Sequence, residues 1–167
     1  MQEDDRWGLA RGVGVPLNLE MAYTEKMLAF ALRLRPANIC MVPENRREVT
    51  TEGGLRVLGA EASIRRTVSR LQAAGSAVSL FIDPDGDEVR ASASAGARYV
   101  ELHTGAFSRA VGRREMAREV RRLARAAELA HGLGLGVNAG HGINYNNLSA
   151  LFDVPHLPER NIGHSIV

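Results

Sequence analysis

Short apolar runs of four to six residues alternate along the chain with longer segments whose apolar positions recur at helical spacing. Leu17-Asn18-Leu19-Glu20-Met21-Ala22 reads as a short buried strand. Thr24 is placed to cap a helix with Met27, Leu28, Ala31 and Leu32 on its apolar side, and Pro36 stops it. Ile39 to Val42 is the next apolar run, closed by Pro43, and residues 44–59 read as a polar, glycine-containing loop. A helix over 60–74 gathers Ile64, Val68 and Leu71 on one side and ends at Gly75. Ala77-Val78-Ser79-Leu80-Phe81-Ile82 is a strand, followed by Asp83-Pro84-Asp85-Gly86, which reads as a turn, and by an Ala-rich helix over 88–95. Tyr99-Val100-Glu101-Leu102-His103 is another strand. The longest helix is expected over 114–133, with Met116, Val120, Leu123, Ala127 and Ala130 as its core stripe. Arg114, Arg118, Arg121 and Arg125 share another face, which reads as solvated, the alternative being an intersubunit or anionic contact. The strand Gly136-Val137-Asn138-Ala139, a helix near 147–152 and a final strand beginning at Asn161-Ile162 complete the pattern.

Six strands joined by mostly helical connections, with strands apolar throughout, predict a parallel sheet covered on both faces. A doubly wound open sheet and a barrel both fit. The absence of Gly-x-Gly-x-x-Gly after the first strand counts against a dinucleotide fold. Residues 1–16, with Trp7 and three glycines, stand outside the pattern as a leader, which leaves 17–167 as the domain.

Composition narrows the class. A chain of 167 residues, 45% hydrophobic and 24% charged, suits one globular domain, whereas a complete (β/α)₈ barrel takes about 250 residues. The acidic start has no apolar core of a signal peptide, and no apolar run approaches the ~20 residues of a membrane span. The single cysteine, Cys40, lies in an apolar stretch and is expected to be a buried structural thiol. A cytoplasmic location is expected. Net charge is +2 with a pI near 9.1, carried almost wholly by arginine, since Lys26 is the only lysine. Phosphorylated small molecules fit that balance as well as nucleic acid does. With aromatics at 5%, stacking platforms for single strands are not expected.

The chemistry gathers where strands end, as it does in parallel α/β folds. Glu20 and Glu101 each interrupt an apolar run, where a buried carboxylate needs partners. Asn138 and His141, then Asn161 and His164, repeat the pattern on the last two strands. One such Glu or His is commonly structural, paired or hydrogen-bonded; four strands together point to proton transfer. Gly140-His141-Gly142 and Gly163-His164 also allow backbone N–H groups to approach a phosphate. If these are strands 7 and 8 of a barrel, the first strand here is strand 3. Thr50-Thr51 before Gly53-Gly54 fits a phosphate contact and fits a Ser/Thr turn or helix cap equally. Asp83-Pro84-Asp85-Gly86 lacks the calcium-loop spacing. His103, His141 and His164 lack metal-ligand spacing, so no metal is expected. Ser108 lacks a nucleophile context.

Six ordered segments together resemble the pyridoxine 5′-phosphate synthase family. They are Asn18-Leu19-Glu20-Met21-Ala22, Val42-Pro43-Glu44 with Glu48-Val49-Thr50-Thr51-Glu52-Gly53-Gly54-Leu55, Val78-Ser79-Leu80-Phe81-Ile82-Asp83, Glu101-Leu102-His103-Thr104-Gly105, Val137-Asn138-Ala139-Gly140-His141-Gly142 and Asn161-Ile162-Gly163-His164. The resemblance implies a (β/α)₈ TIM barrel, here incomplete at about six parallel strands. The implied reaction is a ring-forming, transferase-type condensation of 1-deoxy-D-xylulose 5-phosphate with 3-amino-2-oxopropyl phosphate. Its products are pyridoxine 5′-phosphate, phosphate and water. It also implies no metal or organic cofactor, small phosphorylated substrates, and a homo-octamer. By the same resemblance Glu20 is a general acid/base, Glu101 supports the ring-forming steps, and His141 is the proton donor. Thr50 contacts the deoxyxylulose phosphate, Gly142 meets the amino-ketone substrate, and Gly163 and His164 belong to its phosphate site.

The family's first strand, its second strand with a catalytic His, and substrate-binding Arg residues precede the matched part. Residues 1–16 contain no His. The last helix of the family also lies beyond Val167. The chain alone is therefore expected to be inactive or severely impaired, and prone to association. The rival from another class is a non-catalytic remnant or an assembly partner of an intact barrel. A Schiff-base aldolase is disfavoured, because Lys26 lies in the first helix and not at a strand end.

Overall fold

The computed structural model describes residues 12, 14–44, 53–163 and 165. Its strands are β1 (Asn18–Ala22), β2 (Asn38–Val42), β3 (Ala77–Ile82), β4 (Tyr99–His103), β5 (Gly136–Gly140) and β6 (Glu159–Asn161). Between them run α1 (Glu25–Leu34), α2 (Glu61–Ala73), α3 (Gly86–Ser94), α4 (Gly105–Ser108), α5 (Gly112–Gly132) and a 3₁₀ helix (Leu148–Asp153). Local signals set several boundaries. Met27 N–H donates to Thr24 Oγ1 at 3.2 Å, as the capping position predicts. Gly75 follows α2 at φ +98, a left-handed conformation that glycine reaches without strain. Asp85 caps α3 by accepting from the N–H groups of Asp87 and Glu88.

All five strand pairings are parallel, and the strand order is simply β1-β2-β3-β4-β5-β6. A doubly wound sheet reverses its order at a switch point; an unbroken sequential order belongs to a barrel wall. Of the two architectures the hydrophobic pattern allowed, this selects the barrel. Side-chain contacts show the curl. Cys40 on β2 and Asn161 on β6 both reach Glu101 on β4, skipping the intervening strands. Strands two apart in a flat sheet stand roughly 10 Å from each other, so the sheet must be concave toward that face.

The two faces differ in chemistry. The convex face carries Leu19, Met21, Ile39, Met41, Val78, Leu80, Ile82, Val100, Leu102, Val137 and Ala139, all buried. The helices cover it with Leu28, Ile64, Val68, Leu71, Val89, Leu123 and Ala127. Each such aliphatic chain contributes about 1.5–3 kcal/mol when fully buried. The concave face carries Glu20, Cys40, Ser79, Phe81, Glu101, His103, Asn138 and Asn161. Strands β2 to β5 are thus buried on both sides as expected, but helices cover only one side and curvature the other.

Four expectations change in detail. β6 begins two residues earlier than expected and ends at Asn161, so Asn161 is a strand-end residue. The helix near 147–152 is a 3₁₀ helix, and the short α4, held by Ser108 N–H to Thr104 O at 2.8 Å, precedes α5. Within the segment read as a polar loop, Leu55 and Val57 are buried, and Leu55 N–H donates to Phe81 O at 2.6 Å. The arginine stripe of α5 is exposed, which a solvated face and an intersubunit or anionic contact both require. Its Arg118, with Arg122, pairs with the buried Glu119 at 3.1 and 3.3 Å.

Candidate active site

Glu101 sits at the middle of the concave face and is 7% exposed. Asn161 Nδ2 donates to its Oε2 at 2.6 Å, and the Cys40 thiol donates to the same oxygen at 3.3 Å. Gly140 makes this grouping possible, because a Cβ there would fall on Glu101 Oε1. Burial raises the Glu101 carboxyl above its ordinary value, and the two hydrogen bonds only partly oppose that. A raised proton affinity of this kind is the direction in which acid/base carboxyls are tuned. The Cys40 thiol is pushed well up, chiefly by burial and then by the neighbouring Glu101 charge. It is buried as expected, yet it also serves as a donor to the carboxylate.

Above Glu101, the ends of β4 and β5 form a rim. His103 closes β4 with its side chain 5% exposed, and its Nδ1 lies 3.1 Å from Asp83 Oδ1 at the end of β3. Thr104 Oγ1 lies 2.7 Å from Gly140 O and 2.5 Å from His141 O, so one hydroxyl hydrogen serves two carbonyls. That clamp holds His141 at φ +80, a conformation unfavourable for a side chain with Cβ. The His141 ring is exposed to solvent and tilted against His103, with centroids 5.0 Å apart. Gly142 follows at φ +75, and a Cβ there would strike Ser108 Oγ. This gives the Gly-His-Gly string a steric reason at both glycines.

The expected site residues separate into groups. His141 and Gly142 stand at the carboxyl end of the concave face above Glu101, which lies mid-strand on β4 rather than at the strand end expected, with Asn138 beside it in register on β5. Gly163 lies exposed beyond β6, with open space where a Cβ would stand. Glu20 shares the concave face but is exposed, not buried as its place in an apolar run suggested, because among the described residues β1 is paired on one side only. Its register partner is Cys40, which links the position to Glu101 through one side chain. Thr50 and His164 lie outside the described residues.

Sequence reasoning missed Asp83. Its proline–glycine surroundings read as a turn, and Asp85 does cap one, but Asp83 is a strand-end carboxylate. The hydrogen bond from His103, and after it the Gly54 N–H, hold Asp83 below its usual value against partial burial. Gly54 has no room for a side chain, since a Cβ would meet the backbone of Ile82 and Asp83. The described end of the threonine loop therefore packs beside this carboxylate. A polar cavity lined by Asn18, Asn38, Ser79, Tyr99, Asn138 and Glu159 opens at the opposite, amino-terminal end of the strands.

Comparison with known proteins places this geometry. The chain is 54% identical over 168 residues to the pyridoxine 5′-phosphate synthase of Akkermansia muciniphila and 48% identical to that of Opitutus terrae. In both cases all of this chain aligns to 68% of the relative's length. Among solved structures it is similar to the tetrameric deoxyribose phosphate aldolase of Aeropyrum pernix. That match has a TM-score of 0.65 and 19% identity, over 95% of this chain and 69% of the other. A xylose isomerase domain protein from Planctomyces limnophilus matches with a TM-score of 0.57 and 15% identity, over 85% of this chain and 61% of the other. At such identities these two share the barrel fold alone, which fits an incomplete (β/α) barrel. Residues 1–167, the first sixteen included, match the family described as Pyridoxal phosphate biosynthesis protein PdxJ. The chain belongs to the PdxJ family of pyridoxal phosphate biosynthesis proteins.

Proposed function

We propose that this chain supplies the β1–β6 wall of a pyridoxine 5′-phosphate synthase. The reaction condenses 1-deoxy-D-xylulose 5-phosphate with 3-amino-2-oxopropyl phosphate and releases phosphate and water. The observation that carries the reading is Glu101, a buried carboxyl with a raised proton affinity, gripped by Asn161 and Cys40 directly below the His141 rim. A carboxyl in that state gives up and recovers protons as an amine nitrogen adds to a carbonyl carbon and the hydroxyl so formed leaves as water. Glu20, exposed on the same face, acts as the second acid/base. His141 donates a proton from the rim. Gly142 offers backbone N–H to the amino-ketone substrate. Thr50, Gly163 and His164 take the phosphates.

Among the described residues β1 and β6 are each paired on one side only, so the concave face is unenclosed. Ring formation by the 167 residues alone is accordingly expected to be absent or severely reduced. A homo-oligomer in the cytoplasm, an octamer by resemblance to the family, completes the proposal. Among the described residues no helix is long and apolar enough to cross a membrane.

The test uses a completed chain, in which these residues are joined to the portions of the Akkermansia muciniphila relative outside the match. Glu20→Gln, Glu101→Gln and His141→Asn are each expected to lower kcat by about 10²–10⁴-fold, with circular dichroism unchanged. Rates within twofold of wild type for Glu101→Gln would contradict the assignment.

A further inference from the structure

The imidazole of His103 is enclosed on every side that the structure describes. Its Nδ1 faces Asp83 Oδ1 at 3.1 Å. The Phe81 ring meets it edge-on, with centroids 5.0 Å apart, and a Cβ on Gly105 would lie 2.7 Å from Nε2. The His141 ring, tilted by 57°, occupies the remaining side. Asp83 is held toward its ionised form by this same hydrogen bond, and an ionised carboxylate only accepts. Nδ1 therefore carries the hydrogen, which fixes both the rotamer and the tautomer of His103. The contrast with His141 is sharp: that ring is exposed and borne on a left-handed backbone.

We propose that Asp83 and His103 are positioning residues, in which Asp83 locks the His103 ring and the locked ring seats the His141 imidazole at the rim above Glu101. This rests on the reading of His141 as proton donor. A carboxylate that orients an imidazole supports catalysis without touching substrate, and a misplacement of about 1 Å at the donor lowers a rate on the order of 100-fold. Asp83 also accepts from Gly54 N–H, so one carboxylate ties the threonine loop to the proton donor. Among the described residues the charged and titratable groups around the pair are His141, Glu101 from β4, Arg109 beside Gly105 after α4, and Arg122 of α5, whose charge acts on Asp83.

Nitrogen-15 NMR of the imidazoles in the 167-residue chain tests the proposal directly. Wild type should show His103 protonated at Nδ1. Asp83→Asn should loosen that tautomer preference and weaken the contact between the His103 and His141 rings, read as a loss of nuclear Overhauser intensity between their ring protons. Asp85→Ala, which removes only the α3 cap, should do neither. In the completed chain Asp83→Asn should lower kcat on the order of 100-fold with KM for both substrates within about threefold, while Asp85→Ala leaves both unchanged. The proposal is overturned if Asp83→Asn leaves the contact between the His103 and His141 rings as in wild type, or slows the reaction no more than Asp85→Ala. A completed wild-type chain that makes no product counts against the functional reading, and the NMR comparison then decides this proposal on its own.

Discussion

Two carboxyls of the site respond to pH in opposite senses, and each response is measurable. Glu101 has a raised folded value, caused first by burial. The folded state then holds more protons than the unfolded chain between the ordinary and raised values, so stability falls as pH rises through that window. Glu101→Gln should remove this fall, read as urea midpoints at about pH 4 and about pH 7. Asp83 has a lowered folded value, caused first by the His103 hydrogen bond. It contributes stability above the ordinary carboxylate range that is lost as pH falls through the lowered value. Asp83→Asn should therefore flatten the acid limb. Equal pH profiles for wild type and both variants would contradict these signs. Glu101 was legible in the sequence because a charge that interrupts an apolar strand is costly to bury without partners. Asp83 was not, because proline and glycine beside it made a turn sufficient.

At the scale of elements, the same substitution has different consequences according to what it meets. An added Cβ at Gly140 meets the end of the Glu101 side chain, which can swing aside. Gly140→Ala should therefore impair the reaction in the completed chain with little loss of stability. An added Cβ at Gly54 meets backbone between β3 and the threonine loop, so Gly54→Ala should lower the thermal midpoint; an unchanged midpoint would contradict that packing. Thr104, fully buried, clamps the β5 loop through two carbonyls. Thr104→Val leaves acceptors without that donor and should destabilise by about 1–2 kcal/mol. Most helices and strands were legible, since capping at Thr24 and termination at Gly75 act within a few residues. Exposure of Glu20 and burial of Leu55 and Val57 were not. Both depend on which strand lies at the edge and which segment crosses it, and that is settled by tertiary contact.

At the scale of the whole molecule, the apolar pattern specified parallel strands but left barrel and doubly wound sheet equal. The sequential strand order and the side-chain contacts across alternate strands decide between them. Among the described residues β1 and β6 are each paired on one side only, so the 167-residue chain should form a broad, concentration-dependent distribution of species in sedimentation, where the completed chain gives one defined oligomer. The most direct test of the account is product formation. The completed chain, supplied with 1-deoxy-D-xylulose 5-phosphate and 3-amino-2-oxopropyl phosphate, is expected to form pyridoxine 5′-phosphate, detected by mass spectrometry. Glu101→Gln should reduce that yield on the order of 100-fold. A folded completed chain that yields none, under conditions where the Akkermansia muciniphila relative is active, would contradict the account.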